Sequence, residues 1–169
     1  MSIMTIRSYQ PGDFDALRLC LRELQKHIRS FEWLPIIRSE EDFDADAYLR
    51  ATIEIVRERE GVIFLALKDE KVIGCVVGTI PLATDPIDHL ESFPVREGYI
   101  NELIVLEEAR SSGAGRLLIQ EVERYFRSKE CAFIRVNCFA PNVRSLEFYH
   151  HCGYEDRLIS LIKPLRDDS

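Results

Sequence analysis

The chain has 169 residues, 46% apolar and 30% charged, with a formal net charge of −7. Length and composition predict one globular domain over residues 1–169, and the acidic balance argues against nonspecific nucleic-acid binding, which depends on Lys/Arg patches. No apolar run approaches the roughly 20 residues that cross a bilayer, and the start lacks the basic-then-apolar pattern of a secretory signal, so a cytoplasmic protein without a membrane partner is expected.

In chain order, Ile6 to Gln10 alternates as a short strand, which Pro11-Gly12 breaks. Asp13 is placed to N-cap a helix whose stripe is Leu17, Leu21, Leu24 and Ile28. After the irregular link "SFEWLPIIRSEEDFD", a second helix starts at Asp44 or Asp46, with Leu49, Ile53 and Val56 on its inner face. "GVIFLALKDEKVIGCVVGTI" reads as a hairpin around the polar turn Lys68–Lys71. The segment 81–98, about eighteen residues with three prolines, reads as a loop, and one that long inside a compact domain is usually functional or disordered.

Tyr99–Val105 is the next strand. A glycine-bearing turn and a helix from about Gly113 to Lys129 follow, with Leu118, Val122 and Tyr125/Phe126 as its stripe. "CAFIRVNCF" is a strand, Asn142 caps a short helix that Gly153 ends, and "YEDRLISLIKPL" is a last strand. The order β-α-α-β-β-β-α-β-α-β predicts an α/β fold. Its mixed sheet carries an antiparallel hairpin and a parallel βαβ unit, with helices on its faces.

Five cysteines, an odd number with no CxxC spacing, predict small buried hydrophobes rather than a redox or metal site. His150 and His151 beside Cys152 suggest zinc, but adjacent helical residues point in different directions, so no metal is expected.

The stretch "EEARSSGAGRLL" places Gly113 and Gly115 where a helix begins, although glycine in a helix interior costs about 1 kcal/mol. Two reasons compete. Unpaired N–H groups and the positive end of the helix dipole can hold a pyrophosphate that bare glycines let approach. Alternatively, the glycines allow close packing of helix against strand. The spacing is neither a Walker A loop nor the dinucleotide fingerprint GxGxxG.

"ELIVLEEARSSGAGRLL" resembles the acyl-CoA signature of the GNAT superfamily of N-acetyltransferases, Arg/Gln-x-x-Gly-x-Gly/Ala. "VNCFAPNVRSLEFYHHCGY" is similar to the later motif of the same superfamily, an Asn that opens a helix carrying Phe-Tyr and closing in Leu-Gly-Phe; here Cys152 and Tyr154 are mild departures. The specific match covers Tyr99 to Tyr154. The resemblance implies a GNAT-like fold and direct acetyl transfer from acetyl-CoA to a primary amine of a small molecule, peptide or protein, with a homodimer as a family habit. A non-catalytic acyl-CoA sensor or interaction module is the alternative.

The same resemblance implies that the strand residues Leu103, Ile104 and Val105 offer backbone groups to the pantetheine and thioester. The amides of Arg110, Ser111, Ser112, Gly113, Ala114 and Gly115, with Arg116, would hold the pyrophosphate, and Asn142, Ser145 and Tyr149 would lie beside the pantetheine and sulfur.

Amine attack on a thioester needs a base, because an amine such as lysine has a reference pKa of about 10.4. Glu102 is the candidate base, with the Val105 N–H as oxyanion donor. Asn101 and Glu102 are consecutive polar residues in an apolar strand, where neighbours point to opposite faces, so at least one meets a core or a cleft. A solvated carboxylate or structural ion pair is the other reading of Glu102. Tyr149 is the candidate acid for the departing thiolate, or simply core with Val143 and Leu146. The amine side is expected from the link Phe31–Phe43 and the residues before Tyr99, whose acids include Glu32, Glu40, Glu41, Asp42, Asp85, Asp88, Glu91 and Glu97.

Overall fold

The computed structural model describes residues 3–82 and 93–165. The candidate acids Asp85, Asp88 and Glu91 of the amine side lie outside the described residues. The elements run β1 (Met4–Ser8), a 3-10 turn (Pro11–Asp13), α1 (Phe14–Arg29), α2 (Ala45–Glu58), β2 (Val62–Lys68), β3 (Lys71–Thr79), β4 (Glu97–Val105), a second 3-10 turn (Glu107–Ala109), α3 (Ala114–Ser128), β5 (Phe133–Val136) and α4 (Val143–His151).

The strands form one mixed sheet in the order β1-β2-β3-β4-β5. Pairing is antiparallel from β1 to β4, and β5 joins β4 in parallel, as a strand–helix–strand crossover requires. At the hairpin tip, Asp69 and Glu70 take positive φ (49° and 66°), the geometry that turns a two-residue loop with the twist of the strands.

Each sheet face carries its own core. Leu17, Cys20, Leu21 and Leu24 of α1 and Leu49 of α2 pack on Ile63, Leu65, Cys75, Val77, Ile104 and Leu106. On the other face, Ala114, Leu118, Ile119, Val122 and Phe126 of α3 pack on Phe64, Ala66, Val76 and Ile100. The Phe126 ring lies where the sheet carries Gly78 and Gly98: a Cβ on Gly98 would stand 2.5 Å from the ring, and one on Gly78 2.7 Å. Two glycines therefore open a slot that one fully buried phenylalanine fills.

Two local expectations change, and the choice between Asp44 and Asp46 is decided. Asp13 does not cap α1 with its side chain; its carboxylate accepts from the Gln10 N–H at 2.8 Å and pairs with Arg7, which closes the preceding turn instead. Asp44 caps α2, accepting from the Ala47 N–H at 2.9 Å. The expected last strand is not formed: residues 154–165 carry no strand pairing, because a strand exists only against a partner and the chain passes β5 without backbone bonds to it.

Candidate active site

β4 builds the site through an irregularity. Its register with β3 runs Glu102 opposite Val77 and Ile100 opposite Gly78, so Asn101 has no opposing residue. A bulge of this kind adds one residue to one strand and breaks the alternation of faces. The packing shows it: Ile100 joins the α3-side core, whereas Ile104 joins the α1/α2-side core, although a regular strand would put both on one face. The consequence corrects the sequence reading. Asn101 and Glu102 do not point to opposite faces; both line one cavity of about 120 Å³ beneath α2, with Tyr48, Thr52, Ile55, Val56, Val77 and Thr79.

Within that cavity the Tyr48 hydroxyl donates to Glu102 Oε1, and the Thr79 hydroxyl, itself 1% exposed, donates to Asn101 Oδ1 at 2.8 Å. The Asn101 amide nitrogen has no hydrogen-bond acceptor among the described residues. Burial pushes the Glu102 carboxyl above its ordinary value, and the Tyr48 hydrogen bond opposes that rise. Burial, then the Glu102 charge, hold the Tyr48 phenol well above its own usual range. Sequence reasoning missed Tyr48. It sits 54 residues before Glu102, and on α2 it reads as one more helical aromatic.

β4 and β5 pair only over Glu97–Ile100 and Phe133–Val136. Beyond Ile100 the two strands part, and residues 101–105 have no neighbour on that edge among the described residues. A strand edge opened in this way offers unpaired backbone N–H and C=O groups. Leu103 and Val105 face the α3 side of the sheet, next to Phe148 and Tyr149 of α4. Ile104 faces the opposite core and is buried, so only its backbone is available to a ligand.

In the turn after β4 the two glycines have different surroundings. Gly113 takes φ +89°, which L side chains rarely adopt, at the start of α3. Gly115 serves close packing: a Cβ there would meet the Phe148 ring at 3.3 Å and Val105 at 3.6 Å. Among the described residues, the N–H groups of Ser111, Gly113, Gly115 and Arg116 have no protein acceptor, while Ala114 N–H reaches only Ser112 Oγ at 3.4 Å. Arg110 Nε leans on the Val105 carbonyl at 3.4 Å. Burial, then the charges of Arg110 and Arg144, depress the His27 imidazole below its usual value, so these cations converge on the end of α1.

Asn142 caps α4, its Oδ1 accepting from the Ser145 N–H at 3.2 Å. Tyr149 packs edge-on against Phe148 and Tyr154, with ring centroids 5.4 and 5.6 Å away. Burial foremost, with Cys138, Tyr154, Cys152 and Glu102 adding to it, lifts its phenol well above the ordinary value, so it stays protonated at neutral pH.

Other candidates are engaged elsewhere. His150 meets Asp156 at 2.9 Å and His151 meets the Glu147 carbonyl at 2.6 Å, in different directions. All five cysteines are free, with Cys20 and Cys75 buried. In the α1–α2 link, Glu32 accepts from the Leu34 N–H, Asp42 from the Ser39 hydroxyl, and Glu40 lies 3.9 Å from Lys26. Glu97 pairs with Arg135. That link nonetheless forms a groove of about 500 Å³ along Trp33, Ile36 and Arg38, with Trp33 64% exposed.

With this geometry in place, residues 23–154 match the model of the acetyltransferase (GNAT) family. The chain belongs to that family, and it is an acetyltransferase. It is 27% identical over 125 residues to the aminoglycoside N(6')-acetyltransferase type 1 of Stenotrophomonas maltophilia, which covers 72% of this chain and 79% of that one. It is 28% identical to an uncharacterized N-acetyltransferase of Methanocaldococcus jannaschii, over 56% of this chain and 53% of that one.

Among solved structures, AAC(6')-Iy in complex with a CoA-linked bisubstrate analogue superimposes with a TM-score of 0.72 at 20% identity, covering 98% of this chain and 99% of that one. The BH1408 protein of Bacillus halodurans gives a TM-score of 0.81 at 21% identity, over 96% and 99% of the two chains. At such identities these likenesses speak for the shared GNAT fold. Among the described residues, no helix is long and apolar enough to cross a membrane.

Proposed function

We propose that this acetyltransferase transfers acetyl from acetyl-CoA directly to a primary amine of a small molecule, with Glu102 as base and Tyr149 as acid. The observation that carries the reading is the bulge at Asn101. It turns a buried carboxylate, its pKa raised by that burial, into the small cavity beneath α2, beside the strand edge that parts from β5.

The residues fit acetyl-CoA on their own geometry. The unpaired amides of Ser111, Gly113, Gly115 and Arg116 at the start of α3, with the Arg110 and Arg116 guanidinium groups, would hold the pyrophosphate. Ser112 and Ala114 belong to the same turn, and Ala114 is buried where it anchors the helix. The open edge at Leu103–Val105 would take the pantetheine, flanked by Asn142 and Ser145 at the head of α4. Bound acetyl-CoA supplies the activated acyl group as a thioester.

A neutral amine must meet the thioester carbon. The amine enters from the α2 side, Glu102 takes one of its protons, and the new C–N bond forms as the C–S bond breaks. A carboxyl with a raised pKa is a better proton acceptor than an ordinary carboxylate while remaining largely ionised above that value. The Val105 N–H would steady charge on the carbonyl oxygen. Tyr149, protonated and on the α3 side of the opening, would donate to the departing thiolate. Asn101 and Thr79 line the amine cavity. The net charge of −7 favours approach of a cationic amine, and an aminoglycoside-acetylating relative supports the small-molecule class.

The experiment is a mass-detected acetylation screen with acetyl-CoA and a pool of aminoglycosides, polyamines, amino acids and peptides, which avoids interference by five cysteines. An enzyme-dependent acetyl adduct on a small amine is expected. Glu102→Gln should cut kcat by about 100-fold or more while leaving acetyl-CoA affinity nearly intact. Adducts on peptides alone would overturn the substrate class, and full activity in the variant would remove Glu102 as base.

A further inference from the structure

We infer that the cavity beneath α2 is a slot for an unbranched aminoalkyl arm, a primary amine at the end of about four methylenes, and that it turns away an amine borne on a ring. A free polyamine carries such an arm. This specificity rests on the proposed transfer at Glu102.

Tyr48, Ala51, Thr52, Ile55 and Val56 line the cavity, and their spacing makes one stripe of α2 over two turns. From Tyr48 to Val56 that stripe is about 12 Å long, at roughly 1.5 Å per residue. The cavity volume is only about 120 Å³, against roughly 150 Å³ for a cavity that takes benzene. A space of that size drawn out along two helical turns is a slot one chain wide, with room for about five non-hydrogen atoms in a row. Val77 and Thr79, each 1% exposed, form its floor, whereas Tyr48 at 39% and Ile55 at 37% reach water, so the slot opens along α2.

The lining suits methylenes and one polar head. Ala51, Ile55, Val56 and Val77 supply apolar wall. The three hydroxyls donate within the protein: Tyr48 to Glu102, Thr52 to the Tyr48 carbonyl at 2.9 Å, and Thr79 to Asn101 Oδ1 at 2.8 Å. Among the described residues this leaves the second Glu102 oxygen to accept and the Asn101 amide to donate. An ammonium on a methylene tail needs the carboxylate and little else. A sugar ring carries a hydroxyl on most of its carbons, and each one buried without a partner weakens binding about tenfold or more.

Glu102 is also the one charged group in the lining among the described residues. With the reacting nitrogen at Glu102, the arm leads out past Ile55, and any second ammonium lies in water, where its charge costs nothing to keep. Arm length is thus set by the distance from the carboxylate to the mouth.

The test follows n-alkylamines from ethylamine to n-heptylamine, with cyclohexylamine as the ring that matches n-hexylamine in carbon number. These amines differ little in basicity, so length and shape are the variables. Binding is read from the amide NMR shifts of Thr52 and Val77 without acetyl-CoA, and turnover from the mass of the product with it. Kd should fall, and kcat/KM rise, about fourfold per methylene up to about five carbons, where the slot ends. Cyclohexylamine should be weaker than n-hexylamine by about tenfold or more. Ala51→Leu, at an exposed helical position where the fold should survive, narrows the slot, and n-pentylamine should lose about tenfold more than ethylamine.

A flat length series, or cyclohexylamine level with n-hexylamine, overturns the slot and leaves the proposed transfer standing. Absence of shifts at Thr52 and Val77 with every amine overturns it as well. The length series in binding with no acetylated product keeps the slot and removes the proposed transfer. 1,4-Diaminobutane and a lysine-bearing peptide carry the same arm, and in competition the diamine should be acetylated first. Preference for the peptide would place the arm on a polypeptide and overturn the free polyamine as its carrier.

Discussion

Glu102 and Tyr48 form a pair whose terms can be separated. Burial raises the carboxyl and the phenol hydrogen bond lowers it, so Tyr48→Phe should move the acid limb of the kcat/KM profile to higher pH. An unmoved limb would mean that the limb reports another group. Stability gives a second handle on the same residue. Below the ordinary Glu value both folded and unfolded chains hold the proton, and burial of the neutral acid costs little. As pH rises through the raised folded-state value, the native state must carry a buried charge and loses stability relative to the unfolded chain. Glu102→Gln removes that loss, so its stability advantage in urea should grow with pH across this window. A less stable Gln variant at pH 8 would contradict the burial argument.

At the scale of elements, the irregular places include both the proposed site and a packing device of the core. The Asn101 bulge re-aims two side chains; the turn before α3 uses a positive φ at Gly113; and the Gly78–Gly98 slot seats Phe126. These predict different failures. Gly98→Ala places a methyl 2.5 Å from the Phe126 ring and should cost about 2–3 kcal/mol in unfolding free energy, the range of an overpacked core, with catalysis by the surviving folded fraction unchanged. Gly113→Ala meets no neighbour but must hold a left-handed backbone, at about 1–2 kcal/mol. Its effect should fall on acetyl-CoA affinity as well as on the melting temperature. A Gly113→Ala protein with unaltered acetyl-CoA affinity would move the pyrophosphate site away from this turn.

At the scale of the molecule, one sheet separates two cores, and the proposed reaction lies where it opens. The amine cavity belongs to the α1/α2 side and the tyrosine to the α3/α4 side, and the parting of β4 from β5 joins them. On the proposed reading, an acidic protein would hold a polyanionic cofactor by local means, through free amides, a helix start and the Arg110 and Arg116 guanidinium groups. Acetyl-CoA at 100 times its Kd should stabilise the fold by about 2.7 kcal/mol. That gain should shrink as salt rises from 50 to 500 mM, because exposed charges are screened beyond a few ångströms. A salt-independent shift in melting temperature would point to apolar contacts with the pantetheine as the main hold.

Much of this was legible in residue order. Helix stripes, the hairpin turn and the Asn142 cap are local, because side-chain period and capping are decided within a few positions. The two motifs between Tyr99 and Tyr154 carried the acetyltransferase family, since both depend on spacing along the chain. What tertiary structure alone decided involves partners distant in sequence. The bulge at Asn101 exists only against Gly78 and Val77 across the sheet. Tyr48 reaches Glu102 only because α2 lies over β4, and Gly115 is small because Phe148 lies against it. The segment 154–165 has the composition of a strand but lacks the neighbour that makes one. Composition sets what a segment can bury, and the assembled sheet decides where, and against which partner, it does so.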